Sequence, residues 1–366
     1  MKKNYIAIIF YLLCLTAFGI CQECTTSDNR KGLCNYEAEC STNYNPDGYG
    51  CGVYYGYQLI CCPWQTTQTP SQPATFSLRS SSVKLPQPGE CGTQLAYRIF
   101  GGEEALIDEH PWMALIEHTK PENGRRDFHC AGSIINENYV LTAAHCIKNL
   151  RKNLNVTGVR LGEFDLRTDP DSVDAFDENV EQTKADPVQN IRVVEHIIHE
   201  DYNLYTLQND IALLRLEHPA RTTDFIRPVC LPSNANNHSF HDGEIMEICG
   251  WGRTEDRAYS PIKMRAEVDA VSLDTCSKKY QESSQISPLT NKQICAGGHG
   301  GVDTCKGDSG GPLLIKRRNG NGVYYYLVGI VSLGPAECGQ DGWPGVYTVS
   351  LRVDEYMPWI RSKIRA

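Results

Sequence analysis

Three short segments carry the groups that nucleophilic catalysis combines. Gly307-Asp308-Ser309-Gly310-Gly311-Pro312 sets a hydroxyl among glycines, where the backbone can come close to a substrate and aim N–H groups at a developing oxyanion. Taken alone, such a hexamer reads better as a plain glycine-rich loop. Thr142-Ala143-Ala144-His145-Cys146 adds an imidazole, and Asn209-Asp210-Ile211-Ala212-Leu213-Leu214 adds a carboxylate. An acid directly before the apolar run Ile211 to Leu214 is expensive to bury without a partner such as an imidazole. Three such segments in the order His, Asp, Ser leave little room for coincidence.

The elements that must position these groups read as short strands. From Cys91 onward the apolar runs are brief and punctuated by Gly and Pro: Tyr139 to Ala144, Ile211 to Leu216, Tyr326 to Leu333 and Gly345 to Ser350. That rhythm predicts an all-β barrel or sandwich. At the end of the chain, Val353, Tyr356, Met357, Ile360 and Ile364 recur at helical spacing and predict one amphipathic helix, with Pro358 tolerable in its first turn.

Upstream the composition changes twice. Lys2, Lys3 and the apolar stretch Ile6 to Ile20 form a secretory leader, 1–21, too short for a good membrane span. Residues 22–62 hold Cys24, Cys34, Cys40, Cys51, Cys61 and Cys62 among few aliphatic side chains, so disulfides rather than a core must stabilise them. A metal knot is a weak alternative, since the segment has no histidine. Residues 63–90 are Gln, Thr, Ser and Pro with little to bury, which reads as an extended linker. Seventeen cysteines in the whole chain point to an oxidising compartment, and removing Cys14 and Cys21 with the leader leaves an odd number. Sequons at Asn155 and Asn237 suit a secreted chain. A net charge of -9 with no basic tract gives no footprint for nucleic acid or anionic lipid, so neither nucleic acid nor membrane is an expected partner.

Over residues 91 to 366 these motifs resemble the chymotrypsin-like (S1) serine proteases. The resemblance implies a double β-barrel with a C-terminal helix over 99–366. It implies Ser309 as nucleophile, His145 as general base and then acid, and Asp210 as the carboxylate that orients the imidazole. It places the oxyanion hole at the N–H groups of Gly307 and Ser309. Asp303, six residues before the nucleophile, matches the floor of the pocket that selects Arg or Lys in the trypsin-like branch. Gly334 and Gly345 match the pocket walls, and Ser332 to Gly334 the strand that pairs with substrate backbone. Arg98-Ile99-Phe100-Gly101-Gly102 matches the activation junction, with 91–98 as activation segment: cutting after Arg98 frees an Ile99 ammonium to pair with Asp308. The implied disulfides are Cys91-Cys230, which keeps the front segment attached after cleavage, Cys130-Cys146, Cys276-Cys295 and Cys305-Cys338. Met246 and Ile315 stand where a further family bridge would be, leaving Cys249 as the odd cysteine, either buried or bonded to another chain.

The six early cysteines resemble the clip domain of arthropod proteases. Six cysteines allow fifteen connectivities; the resemblance implies Cys24-Cys61, Cys34-Cys51 and Cys40-Cys62. Residues 161–171 resemble a calcium loop, with Glu163, Asp165, the carbonyl of Thr168 and Asp171 as candidate oxygen ligands of a structural ion, a solvated acidic loop being the other reading. No catalytic cofactor is expected. Together these resemblances imply a zymogen secreted to haemolymph, activated by an upstream trypsin-like protease and restrained by serpin inhibitors. It would cleave protein substrates after Arg or Lys in a cascade of innate immunity, through Toll-ligand processing or prophenoloxidase activation. The competing function, a clip-bearing regulatory cofactor without catalysis, usually shows a lost triad residue, and none is lost here.

Overall fold

The computed structural model describes residues 23–25, 31–35, 53–54, 57–58, 60–63, 84–94, 105–148, 154–173, 183–232, 240–253, 259–282, 289–298, 307–320, 322–334, 344–349 and 356–365. The chain divides into two compact units, Met1–Arg79 and Ser80–Ala366. In the first, β1 (Glu23–Thr25), β2 (Lys31–Asn35) and β5 (Ile60–Pro63) form a three-stranded antiparallel sheet, and β3 (Val53–Tyr54) pairs with β4 (Tyr57–Gln58). The register sets the backbone of Cys34 opposite Cys61. Of the expected clip cysteines, Cys40 and Cys51 fall outside the described residues, as does the leader, and the other four are described in their backbone alone.

The second unit holds two closed six-stranded barrels. The first runs through β6 (Met113–Thr119), β7 (Arg126–Asn136), β8 (Tyr139–Thr142), β9 (Asn155–Leu161), β12 (Gln189–Ile198) and β13 (Ala212–Leu216). Short β10 (Ser172–Val173) and β11 (Thr183–Lys184) pair beside it. The second consists of β14 (Ile245–Gly250), β15 (Met264–Val271), β16 (Gln293–Ala296), β17 (Pro312–Asn319), β18 (Gly322–Leu333) and β19 (Gly345–Val349). Alternation is clearest in β12, where Ile191 and Val193 turn inward between exposed neighbours. In β8 all four residues are buried, so both faces of the strand are covered and period two disappears there.

One apolar cluster runs from Trp112, Ile116 and Leu141 in the first barrel to Leu314, Leu327 and Ile330 in the second. Each such side chain, taken from water, contributes about 1.5–3 kcal/mol. Among the described residues three short helices complete the unit: α1 (His145–Lys148), α2 (Leu273–Glu282) and α3 (Met357–Lys363). Pro358 sits in the first turn of α3, where its missing N–H costs nothing, and Met357, Trp359 and Ile360 face the core. The helix at 273–282 was not foreseen. Its apolar content is small, and what holds it is the Cys276-Cys295 bridge and Tyr280, whose hydroxyl donates to the carbonyl of Pro344 at 2.8 Å.

Candidate active site

Strand pairing brings the imidazole and the carboxylate together. In the β8–β13 ladder Thr142 lies opposite Ala212, so His145, three residues past Thr142, and Asp210, two before Ala212, emerge at one end of adjacent strands. There Asp210 is fully buried and receives three hydrogen bonds. His145 Nδ1 lies 2.7 Å from Oδ2, the His145 backbone N–H donates to Oδ1 at 2.8 Å, and the Ser332 hydroxyl donates to Oδ2 at 2.6 Å. Burial alone would lower the His145 pKa; the charge of Asp210 and its hydrogen bond outweigh that and hold it above the ordinary histidine value. The contact fixes the ring so that Nε2 is the nitrogen left for chemistry.

The Ser309 loop is fastened to both barrels. Ala131 of β7 donates to the Ser309 carbonyl at 2.8 Å, Gly310 donates to Val331 at 2.8 Å, and Val331 donates back to Gly311 at 2.9 Å. Gly310 has φ +81°, and a Cβ there would collide with Thr142 Oγ1 and the Ala131 carbonyl, so this close crossing demands glycine. The Cys130-Cys146 disulfide forms, and its Cys146 sulfur lies 3.8 Å from His145 Nε2 and 3.6 Å from the Ser309 carbonyl oxygen. The bridge is therefore packed between the two segments. Cys130, His145 and Cys146 offer no metal site, because the bridged sulfurs have no thiolate to give.

Beside Ser309, the Asp308 carboxylate is seated against Gly250 and Gly252 and accepts the Gly252 N–H at 2.8 Å. Gly307, with φ +106°, passes over Gly252 and under the half-exposed ring of Tyr259. Ser332 and Gly345 are buried and Gly334 half-buried, at the ends of β18 and β19. Arg98, Ile99, Asp303 and the Cys305-Cys338 pair lie outside the described residues, as does Asn237. Asn155 is exposed at the start of β9.

Of the four candidate calcium ligands, Glu163 and Asp171 are brought together and buried. Burial, then the Asp171 charge, pushes the Glu163 carboxyl up to about 7 despite Arg160, whose guanidinium lies 3.1 Å away. Asp171 accepts the N–H groups of Phe164 at 2.8 Å and Asp165 at 3.1 Å and the Thr168 hydroxyl at 2.6 Å. Asp165 instead turns its carboxylate to Arg167, 2.7 and 2.6 Å away. Two like charges crowded in a partly desolvated loop are a donor set that a hard dication would suit.

Cys91-Cys230 and Cys276-Cys295 form as the resemblance implied, and Cys249 is free and buried. Burial pushes its thiol well above the ordinary value, which makes it a poor nucleophile. Met246 and Ile315 pack in one cluster in place of the missing bridge. Two features had no signal in the linear sequence. One is the Ser332 bond to Asp210, since that serine was expected only to border the substrate strand. The other is a buried cluster in which Glu247 meets His110 Nε2 at 2.5 Å and Lys316 Nζ at 2.7 Å. Beside it the segment after Cys91 is laced in place: His110 N–H donates to Gln94 Oε1 at 3.1 Å, and Tyr325 N–H to the Gly92 carbonyl at 2.9 Å.

The family model described as Trypsin matches residues 99–360. The chain is 44% identical to Serine protease ea of Drosophila melanogaster over 86% of this chain and 80% of that protein. It is 38% identical to Melanization protease 1 of the same organism over 99% of each. Among solved structures it is similar to the Drosophila Grass clip serine protease of the Toll pathway, with a TM-score of 0.63, 30% identity, and coverage of 94% of this chain and 97% of that one. With two barrels, a buried Asp–His pair and a glycine-bound serine between them, the chain belongs to the trypsin family of serine endopeptidases, in its arthropod clip-domain branch.

Proposed function

We propose that Ser309, His145 and Asp210 carry the peptidase reaction of a zymogen that is cut after Arg98 and then cleaves protein substrates after Arg or Lys. The observation that carries this is the fully buried Asp210, held by His145 from one barrel and Ser332 from the other beside the anchored Ser309 loop. Ser309 Oγ attacks the scissile carbonyl carbon while His145 Nε2 takes its proton. The tetrahedral oxyanion sits at the N–H groups of Gly307 and Ser309. His145 then protonates the departing amine, and water, deprotonated by the same nitrogen, releases the acyl group. Asp210 stabilises the imidazolium at each transfer.

Asp303 supplies the charge that a cationic side chain pairs with, whereas an apolar one would leave it desolvated and unpaired. The Ile99 ammonium, once freed, pairs with Asp308 and orders Gly307 and the pocket. Glu163 and Asp171, with carbonyls of the loop, would hold a structural calcium that neutralises their crowded charge. The names of the relatives support a place in an extracellular cascade of arthropod immunity. Its substrate would be a Toll-ligand precursor, a prophenoloxidase or a further zymogen, with an upstream trypsin-like activator and serpins as inhibitors.

The test is Asp303→Ser, opened at Arg98 by a separate protease. It is expected to lose several orders of magnitude on Arg and Lys esters while Ser309 still reacts with a small acylating agent. Equal efficiency with the unsubstituted enzyme on basic substrates would overturn the pocket assignment.

A further inference from the structure

Asn209, the residue before Asp210, occupies the left-handed region at φ +54°. Asparagine tolerates that conformation better than most side chains, yet it still needs holding. Here its amide is used on both sides. Oδ1 accepts from Lys292 Nζ at 3.1 Å and from the Tyr356 hydroxyl at 3.1 Å, while Nδ2 donates to the Asp201 carbonyl at 3.0 Å. The Asn209 carbonyl in turn accepts the Ile211 N–H at 2.9 Å, so the backbone on both sides of Asp210 is bent around this residue.

The two donors come from far along the chain. Lys292 lies just before β16 in the second barrel, its ammonium 5.6 Å from the centroid of the Tyr356 ring. Tyr356 is almost fully buried at the start of α3 and packs edge-on against His199. The same helix grips the start of this loop, since Trp359 Nε1 donates to Glu200 Oε2 at 2.8 Å and Lys363 pairs with Glu200. The charged and titratable groups around Asn209 are thus His199, Glu200, Asp201 and Tyr202 of its own loop, Lys363 and Tyr356 of the helix region, and Lys292.

We propose that Lys292, acting through the Asn209 side chain together with Tyr356, is a positioning residue for the triad carboxylate. A charge-assisted bond from an ammonium is about twice as strong as a neutral one, which suits it to hold a backbone bend that the chain does not prefer. The distances at Asp210 are 2.6 to 2.8 Å from three donors, so a small rotation at residue 209 would lengthen all three together. The inference rests on the triad reading, and the two can be separated: activity surviving in Ser309→Ala would overturn both, whereas the results below bear on Lys292 alone.

The experiment uses the full chain, cleaved after Arg98, and hydrolysis of an Arg peptide ester by Lys292→Met, Lys292→Arg, Asn209→Gly and the pair Lys292→Met with Asn209→Gly. Glycine keeps the left-handed backbone accessible while removing the amide. Lys292→Met is expected to lower kcat about tenfold with KM within about twofold, a loss of alignment in the transition state without loss of substrate binding. Lys292→Arg should recover most of it. In the Asn209→Gly background Lys292→Met should have no further effect, because the route is already cut. An unchanged kcat in Lys292→Met, or losses that multiply in the pair, would overturn the proposal. Should Lys292→Met fail to fold, Tyr356→Phe removes one hydroxyl only. It is expected to lower kcat with KM unchanged and to be silent in the Asn209→Gly background; an unaltered kcat for Tyr356→Phe alone, or a further loss in the Asn209→Gly background, would overturn the proposal equally.

Discussion

The backbone N–H of Gly252 points at the carboxylate of Asp308, 2.8 Å from Oδ1, and the missing side chain of Gly252 is the space that carboxylate occupies. A Cβ there would collide with both carboxylate oxygens, and Asp308 adjoins Ser309. Gly252→Ala is therefore expected to displace Asp308 and to lower kcat/KM of the cleaved enzyme by about 100-fold or more, comparable to loss of an oxyanion-hole donor. Active-site titration combined with ester hydrolysis measures this. Activity within a factor of two of the parent would mean that Asp308 has another seat.

The raised pKa of His145 makes opposite demands on activity and stability. The imidazole must be neutral to take the Ser309 proton, so kcat/KM should fall on the acid side with an apparent pKa above the ordinary value of about 6.5. The folded-state pKa is raised, so the stabilisation is fully present below about pH 6.5 and is lost as pH rises through the raised value. Asp210→Asn should move the acid limb of the rate profile to lower pH and reduce kcat by about 10⁴. A limb that stays in place would show that Asp210 does not set it.

For Glu247 the sign is reversed. Burial alone would raise its pKa, but His110 and Lys316 overcome that and bring it down from 4.5 to about 2. Its contribution to stability is present above pH 4.5 and lost as the pH falls towards 2, on the order of 3 kcal/mol. Glu247→Gln should be less stable at pH 7 and lose less than the parent on acidification from pH 4.5. Urea denaturation at a series of pH values checks this, and parallel acid limbs would refute it.

Calcium at millimolar concentration should raise Tm, since a ligand at a hundredfold its Kd stabilises by about 2.7 kcal/mol. The effect should vanish in Glu163→Gln with Asp171→Asn, and persist in Asp165→Asn because that carboxylate already serves Arg167. A chelator effect of equal size in the Glu163/Asp171 variant would remove the ion from this loop.

The sequence made the chemistry easier to read than its supports. His145, Asp210 and Ser309 stand in local patterns that survive in one dimension, and the strand runs around Tyr139, Ile211 and Gly345 appear within a few residues of their expected positions. Pro358 was readable because its effect depends on helix position alone. What escaped depends on contacts between distant segments. Asp210 and Ser332 are 122 residues apart, and His110 and Glu247 are 137 apart, so no periodicity could pair them. The helix over 273–282 owes its place to a disulfide more than to an apolar face, and Asp165 looked equivalent to Asp171 until Arg167 was seen to claim it.

Asp210 draws its bonds from His145 on one barrel and Ser332 on the other, so its carboxylate works as a gauge of how the two halves are aligned. A slip between the barrels too small to expose their shared core would still stretch the Ser332 contact and release the imidazole. Catalysis should then fail before cooperative unfolding begins. On gradual heating, ester hydrolysis would fade at a lower temperature than tryptophan fluorescence, with activity returning on cooling, as a mechanism loses its timing while its parts remain whole.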